Sequence, residues 1–173
     1  MEKVGIFYGP VDGSTEKVAR KIAELIGSEN CDLLPVRDAS ADDLDNYTNV
    51  IFGIATIGNE TWNSEPLKSG WFTFMGELEG ADLNNKIIAL FGLGDHIRYA
   101  DHFVDAMGEL NSLVSKKGIA TIGHVPAADY TYRESKALEG DTFVGLPVDE
   151  EFEQSLTDQR LISWVNEIKN FFK

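Results

Sequence analysis

The stretch FYGPVDGSTEKVARKIAELIG, residues 7–27, contains the end of an apolar strand, a glycine-bounded turn and the start of a helix. The helix has an apolar stripe at helical spacing, made by Val18, Ile22, Leu25 and Ile26. A strand, a tight turn and a helix in succession are typical of an α/β protein with a parallel sheet. The N–H groups and partial positive charge at the start of such a helix can hold an anion.

Apolar runs and amphipathic stretches alternate along the rest of the chain. Buried strands are predicted at residues 3–8, 31–36, 49–55, 86–94, 119–125 and 142–148, and helices at 65–78, 101–117 and 156–172. A polar stretch, 126–142, interrupts the pattern near its end. The alternation predicts a parallel sheet covered by helices on both faces, and the 173 residues suit one domain, 1–173.

The later helices also have apolar faces that we expect to point inward. In the helix at 101–117 this face consists of Phe103, Met107, Leu110 and Val114, and in the last helix of Leu161, Trp164, Ile168 and Phe171. Both sets repeat every three or four residues, which is the spacing of one helix face.

The charge and cysteine content exclude several classes of function. A net charge of −14 argues against nucleic acid and anionic membranes, because binding phosphates needs clustered Lys and Arg, and it favours a basic protein partner. One cysteine, Cys31, allows no disulfide within the chain, and no spacing of Asp, Glu and His suggests a metal site. We find no signal peptide or membrane-spanning run, so the expected location is the cytoplasm.

Ligands of open parallel sheets bind beyond the carboxyl ends of the strands. Three loops at that edge are therefore the candidates, at residues 9–15, 55–64 and 93–102. The first loop lacks the Lys of a nucleotide-hydrolysing P-loop and the glycines of a dinucleotide fingerprint. A helix cap made by Asp12 or Ser14 and a phosphate site both remain open for this turn.

The chain as a whole resembles the flavodoxins, small electron-transfer proteins that carry FMN. The segments that carry the resemblance are GIFYG…GSTEKVA, TWNSEPLKSGW, ALFGLGDHIRYADHFVDAMGEL and SKALEGDTFVGLPVDEE. The resemblance implies a flavodoxin-like, doubly wound, five-stranded parallel sheet of order 2-1-3-4-5 in three layers. The polar interruption resembles the insertion in the last strand of long-chain flavodoxins.

The first loop is similar to the family's phosphate loop, Ser/Thr-x-Thr-Gly-x-Thr. The corresponding residues here are Pro10, Val11, Asp12, Gly13, Ser14 and Thr15. Two hydroxyl positions are lost, and a carboxylate about 4 Å from a single charge costs roughly 1 kcal/mol in water-like surroundings. Either Asp12 turns to solvent, which we favour, or it caps the helix and displaces the phosphate.

The loop after the fourth strand is similar to the family's flavin-ring loop. The resemblance implies that Leu93, Gly94 and Asp95 approach the ring, that Tyr99 stacks on it, and that His102 lies beside it. Asp101 would add negative charge, and Arg98 would offset it or reach a phosphate or partner. For His96 a surface role is expected.

The loop after the third strand allows two alignments with the family. One places Thr56, Ile57, Gly58 and Asn59 around the ring, with Ile57 on the second flavin face; the other gives that face to Trp62. A peptide that turns its carbonyl toward the flavin is expected near Gly58, because Gly tolerates the φ change.

The resemblance implies a low-potential one-electron carrier with FMN bound non-covalently and no catalytic residues of its own. Its expected partners are basic-surfaced redox proteins, a flavodoxin reductase and an electron acceptor, and it is expected to be a monomer. Two alternatives remain open: a flavodoxin-fold binding module that has lost FMN, suggested by Pro10 and Asp12, and an FMN-dependent reductase.

Overall fold

The computed structural model describes residues 1–56 and 69–173. The main sheet contains five parallel strands in the order β2-β1-β3-β4-β8. Their bounds are β1 Val4–Gly9, β2 Cys31–Pro35, β3 Asn49–Ala55, β4 Ile87–Leu93 and β8 Leu146–Val148. The predicted order is confirmed, and it places the reversal of strand order between β1 and β3.

Four α-helices lie in the described part of the chain. They are α1 Ser14–Ile26, α2 Trp71–Leu78, α3 Asp105–Lys116 and α4 Gln154–Ile168. Short 3-10 turns cover Ser28–Asn30, Ala41–Asn46, Ala100–His102 and Ala127–Asp129. The predicted helix at 65–78 is described only from residue 69, and the one at 101–117 begins with a 3-10 turn before α3.

The sheet separates two apolar layers because successive side chains of a strand point to opposite faces. Ile6 of β1 packs toward α1 and α4, and Phe7 packs on the other face toward α2 and α3. The aromatic rings of Phe52 and Phe74 lie 5.9 Å and 5.6 Å from that of Phe7. The predicted inward residues of α3 are all fully buried.

The fifth strand is interrupted. Ile122 forms a single parallel bridge with Ala89, and the chain returns to the sheet only at β8, where Leu146 pairs with Phe91. Gly123 turns the chain away at a φ of 74°, and a Cβ there would lie 2.5 Å from the indole nitrogen of Trp164. The predicted strand at 119–125 is therefore wrong as a continuous strand.

The residues between the two segments form a small antiparallel sheet. Its strands are β5 Val125–Pro126, β6 Leu138–Glu139 and β7 Thr142–Phe143, in the order β5-β7-β6. The predicted strand at 142–148 is thus divided between β7 and β8. The long-chain classification of this insertion stays a prediction.

Two residues of the predicted inward faces are exposed. Leu25 in the last turn of α1 is 37% exposed, because it lies at the margin of the stripe. Phe171 is 53% exposed, because α4 ends at Ile168 and the chain then turns. Helical spacing beyond Ile168 therefore gave a wrong prediction for Phe171, whereas Leu161 and Trp164 are buried as expected.

Candidate functional site

The carboxyl ends of β1, β3, β4 and β8 surround an open cleft of about 270 Å³. Its lining residues come from four loops and are Ser14, Thr56, Leu93, Gly94, Asp95, Arg98, Tyr99, Glu150 and Glu151. Six of these residues were predicted from the sequence. The loop after β8 was missed, although the same rule about the carboxyl ends of strands would have found it.

The turn between β1 and α1 presents an open helix N-terminus. Gly13 is the residue before α1 and makes no side-chain cap. Among the described residues, no acceptor lies within hydrogen-bond range of the N–H groups of Gly13, Ser14 or Thr15. A Cβ on Gly13 would meet nothing within 4 Å, so the space before these amides is open.

The side chain of Thr15 adds a second polar group to this turn. Thr15 is only 2% exposed, and its hydroxyl has no hydrogen-bond partner in the described residues. A buried hydroxyl beside open amides is suited to an anion that carries several acceptor oxygens.

Asp12 occupies the turn without capping the helix. Its backbone is left-handed, with a φ of 59°, a conformation that Asp and Asn tolerate better than most residues. The side chain is exposed, and the backbone N–H donates to Glu16 Oε2 at 2.8 Å. Neither Asp12 nor Ser14 makes the predicted cap, and the arrangement agrees with a carboxylate that faces solvent.

Glu16 and Arg20 form a pair beside the turn. Glu16 Oε1 accepts from Arg20 Nε at 3.0 Å and from Nη2 at 2.6 Å. The hydrogen bond from the Asp12 N–H, followed by those from Arg20, lowers the pKa of Glu16. Burial, followed by the nearby Glu16 charge, raises the pKa of Tyr8, which lies beneath the pair.

The first two residues of the turn offer little to an anion. Pro10 has no N–H, and Val11 packs against the apolar layer on the α1 face. Both are half-buried. The hydroxyl that the family pattern has at position 10 is not replaced by either side chain.

Thr56 ties the end of β3 to α3. Its N–H donates to Leu93 O at 2.9 Å, and its hydroxyl accepts the N–H of Ala106 at 3.0 Å. The hydroxyl still lines the cleft, where it can act as a donor. The predicted ring-binding residues Ile57, Gly58, Asn59 and Trp62 lie outside the described residues.

Asp95 organises the loop after β4. Its Oδ1 accepts the N–H groups of Ile97 and Arg98 at 3.0 Å and 2.7 Å, and its Oδ2 accepts from Arg98 Nε at 2.5 Å. Arg98 Nη2 also donates to Glu151 at 2.8 Å. Arg98 therefore forms ion pairs with two carboxylates of the cleft wall. It offsets part of their negative charge, which is one of the roles predicted for it from the sequence.

Gly94 and Tyr99 belong to the same loop, but Gly94 is closely packed and Tyr99 is exposed. The N–H of Gly94 donates to Val148 O at 3.0 Å, and a Cβ on Gly94 would lie 2.9 Å from Val104 Cγ1. The backbone is therefore held close to its neighbours. Tyr99 is 39% exposed and contributes an open aromatic wall to the cleft.

Asp149, at the end of β8, is the buried tie between two of these loops. Its Oδ1 accepts the N–H groups of Glu151 and Phe152, each at 2.9 Å. Its Oδ2 accepts the N–H of His96 at 3.0 Å and lies 2.5 Å from His96 Nδ1. Because an ionised carboxylate only accepts, Nδ1 of His96 carries a proton.

This contact corrects the surface role expected for His96. Its side chain is 14% exposed and packs edge-on against Phe103 and Phe152, with ring centroids 6.5 Å and 6.0 Å away. Burial raises the pKa of Asp149, but the N–H groups of His96, Phe152 and Glu151 and the His96 ring outweigh it, so the pKa is lowered. The pair fixes the loops on both sides of the cleft.

His102 and Asp101 lie at the margin of the site. His102 Nδ1 is 3.0 Å from Asp105 Oδ2, and His102 is not among the cleft-lining residues. Asp101 pairs with Arg133 at 2.6 Å, so its charge is offset by the insertion. The structure thus uses His102 at the start of α3, and its predicted contact with a cofactor stays a prediction.

In ranges 1–56 and 69–173, no group of three or more His, Cys, Asp and Glu side chains is arranged to hold a metal ion. Within the same ranges, no helix combines the length and apolarity that crossing a membrane requires.

An open parallel sheet with an anion-accepting turn at its reversal of strand order defines a class of nucleotide-binding α/β proteins. The flavodoxin family model matches residues 6–164. A flavodoxin of Nostoc sp. is 41% identical over 171 residues, covering 99% of this chain and 98% of the relative. Flavodoxin 1 of Azotobacter vinelandii is 39% identical over 176 residues, covering 99% and 98%.

A solved structure agrees with these sequence relatives. The Fusobacterium nucleatum flavodoxin bound to flavin mononucleotide superposes with a TM-score of 0.87 at 26% identity, over 100% of both chains. The chain described here belongs to the flavodoxin family.

Proposed function

We propose that this protein is a low-potential one-electron carrier that binds FMN non-covalently in the cleft at the carboxyl edge of its sheet. The observation that carries the proposal is the turn before α1, where open amides, the Thr15 hydroxyl and unfilled space beside Gly13 occur together. These groups suit the phosphate ester of FMN, which has several acceptor oxygens and nearly two negative charges.

The phosphate end of the site would be held mainly by the backbone. Among the described residues, the N–H groups of Gly13, Ser14 and Thr15 and the hydroxyls of Ser14 and Thr15 are the donors there without an acceptor, and a further donor, the N–H of Asp12, is bonded to Glu16. The pattern of two lost hydroxyls at Pro10 and Asp12 is compatible with this arrangement, because amides at a helix N-terminus bind anions without side-chain help.

The flavin ring of FMN would be held by residues that line the cleft. Tyr99 offers an exposed aromatic face for stacking, and the backbone of Leu93, Gly94 and Asp95 forms the floor beside it. Thr56 closes the third side. The predicted contributions of Ile57, Gly58, Asn59, Trp62 and His102 belong to this proposal.

FMN, when bound, supplies the one-electron chemistry, and the protein sets how readily it gives up an electron. Among the described residues that line the cleft, the charged groups are mostly acidic: Asp95, Glu150 and Glu151 accompany one cation, Arg98. Negative surroundings disfavour added negative charge, so this composition lowers the reduction potential. We assign no chemical step to a side chain of this protein.

The partners we propose are basic-surfaced redox proteins, a flavodoxin reductase and an electron acceptor. Near the cleft, Ile97, Tyr99 and Phe152 are 55%, 39% and 49% exposed, beside Glu150 and Glu151. An apolar centre with an acidic rim suits a partner with basic groups around its own redox centre. We also propose that the protein is a monomer, forms a single domain and is located in the cytoplasm.

The proposal is tested by adding FMN to purified, flavin-free protein and following flavin fluorescence and absorbance. We expect one FMN per chain, reduction in two separate one-electron steps, and electron transfer to cytochrome c that slows as salt increases. Protein that stays colourless in excess FMN would favour the binding-module alternative. Steady NAD(P)H consumption with a quinone would favour the reductase.

A further inference from the structure

The turn that would hold the phosphate already contains an anion belonging to the chain. Glu16 is the third residue of α1, and its carboxylate reaches back to the N–H of Asp12 at 2.8 Å. A Glu at this position usually reaches the N–H of the residue that caps the helix. Here it reaches one residue further, into the loop that resembles the phosphate loop.

Both ends of the Glu16 carboxylate are engaged. Oε2 accepts from Asp12, and Oε1 accepts from Nε and Nη2 of Arg20. The side chain is only 17% exposed, whereas that of Arg20 is 59% exposed. The carboxylate is therefore held at the turn by its hydrogen bonds to the Asp12 N–H and to Arg20.

We infer that Glu16 is an internal competitor of the FMN phosphate, holding the N–H of Asp12 in the flavin-free protein and yielding it when the phosphate binds. The inference rests on the proposed function of this cleft. A carboxylate and a phosphate ester are attracted by the same helix N-terminus, and the Asp12 N–H that now donates to Glu16 is a donor that a phosphate in this turn can also use. Since they repel each other, the phosphate binds only by displacing or facing the carboxylate.

The surrounding charges decide how strongly the two anions interfere. In the described part of the chain, Asp12 and Glu16 are the acidic groups of the turn, Lys17, Arg20 and Arg37 are the nearby cations, and Tyr8 is close enough for the Glu16 charge to affect its pKa. Arg20 is already paired with Glu16, and Arg37 is paired with Asp38. Once released from Asp12, Glu16 would keep its partner Arg20, so its displacement leaves no unpaired buried charge.

The test compares Glu16→Gln with Glu24→Gln. Glu16→Gln keeps an oxygen that can accept from Asp12 and removes only the charge, while Glu24→Gln removes the same charge from an exposed position further along α1. We expect Glu16→Gln to bind FMN about tenfold more tightly than wild type. Riboflavin, which lacks the phosphate, should bind all three proteins within about twofold.

Unchanged or weaker FMN binding by Glu16→Gln, with Glu24→Gln at the wild-type value, would overturn the inference and make Glu16 a support for the turn. An equal gain in both variants would also overturn it, since that would reflect net charge. Failure of the proposed function is distinct: the wild type and both variants would then bind neither FMN nor riboflavin.

A second measurement needs no flavin. In the ¹⁵N-labelled protein at pH 7, the Asp12 amide signal should move in Glu16→Ala, which removes its acceptor, and should keep its wild-type position in Glu24→Ala. Inorganic phosphate should perturb the same amide at about tenfold lower concentration in Glu16→Gln than in wild type. Equal phosphate responses in the two proteins would overturn the inference.

Discussion

The two ends of the cleft are built in opposite ways. Among the described residues, the turn leaves the amides of residues 13–15 without acceptors, whereas the loops at 94–99 and 149–152 satisfy most of theirs internally, chiefly through Asp95 and Asp149. The open end can bind, because its donors still lack acceptors. The saturated end can position, because its backbone is already fixed before a ligand arrives.

The two ends of the cleft also differ in how well the structure tolerates substitutions there. At the open end, the family pattern has been altered at positions 10 and 12 with no visible loss of structure, since Asp12 is exposed and only its backbone is bonded. At the saturated end, one buried carboxylate receives four donors. Substitutions there should affect folding, and those in the turn should affect binding alone.

The largest expected effect comes from Asp149→Ala. It leaves the amides of His96, Glu151 and Phe152 without their acceptor, so the free energy of unfolding should fall by about 3 kcal/mol. Urea denaturation measures it. Asp158→Ala removes a carboxylate with 74% exposure and should cost under about 1 kcal/mol. Equal losses in both variants would remove the distinction between the two ends.

Alanine substitutions at two glycines, one at each end of the cleft, test the same difference. Gly94→Ala should lower the free energy of unfolding by about 2 kcal/mol, because its Cβ would lie 2.9 Å from Val104 and 3.1 Å from Phe103. Gly13→Ala should leave stability unchanged or raise it by up to about 1 kcal/mol, because its φ of −150° suits any residue and the space is open. Thermal unfolding of the two variants side by side decides whether this ranking holds.

Asp12→Asn probes the open end through binding, because Asn removes the charge and tolerates the left-handed backbone at a φ of 59°. Removing one exposed charge near a nearly doubly charged phosphate should tighten FMN binding about tenfold. Riboflavin binding and thermal stability should stay at their wild-type values, because the Asp12 side chain makes no cap. If FMN affinity does not change, the carboxylate exerts no field at the phosphate position.

The smallest expected effect is a pH dependence confined to acid. The pKa of Asp149 is lowered from 3.8, so its stabilising contribution is complete above about pH 3.8 and is lost as the pH falls through the folded-state value. The stability difference between wild type and Asp149→Asn should therefore be constant from pH 7 to 5 and shrink below 3.8. A difference that shrank already near pH 6 would contradict a lowered pKa for Asp149.

Much of the fold follows from short-range patterns. The alternation of apolar runs and helix stripes predicted the strands and their parallel arrangement, and the family resemblance supplied their order, which the structure confirms. The predictions that Leu25 and Phe171 are buried were wrong. An apolar stripe indicates which face of a helix points inward, but not how much of that face the neighbouring elements cover. The interruption after Ile122 depends on Trp164, 42 residues away in sequence, and could not be inferred locally.

The candidate site, like the fold, was predicted from the sequence only in part. Ser14, Gly94 and Tyr99 lie in loops that follow strands and line the cleft, as the rule that strand ends meet at one edge of a parallel sheet predicted, and their contacts with FMN stay predictions. The contact of His96 with Asp149 joins residues 53 positions apart and was not found. The left-handed backbone of Asp12 and its bond to Glu16 also escaped prediction, because they depend on how the turn closes rather than on residue type.

The central claim is that the amides before α1 grip the phosphate despite the acidic side chain beside them. Parallel titrations of flavin-free wild-type protein with FMN and with riboflavin test it most directly. Two charge-assisted hydrogen bonds worth about 1.5 kcal/mol each predict that FMN binds about 100-fold more tightly. Equal affinities for the two flavins would show that the turn holds no phosphate, and would contradict the account.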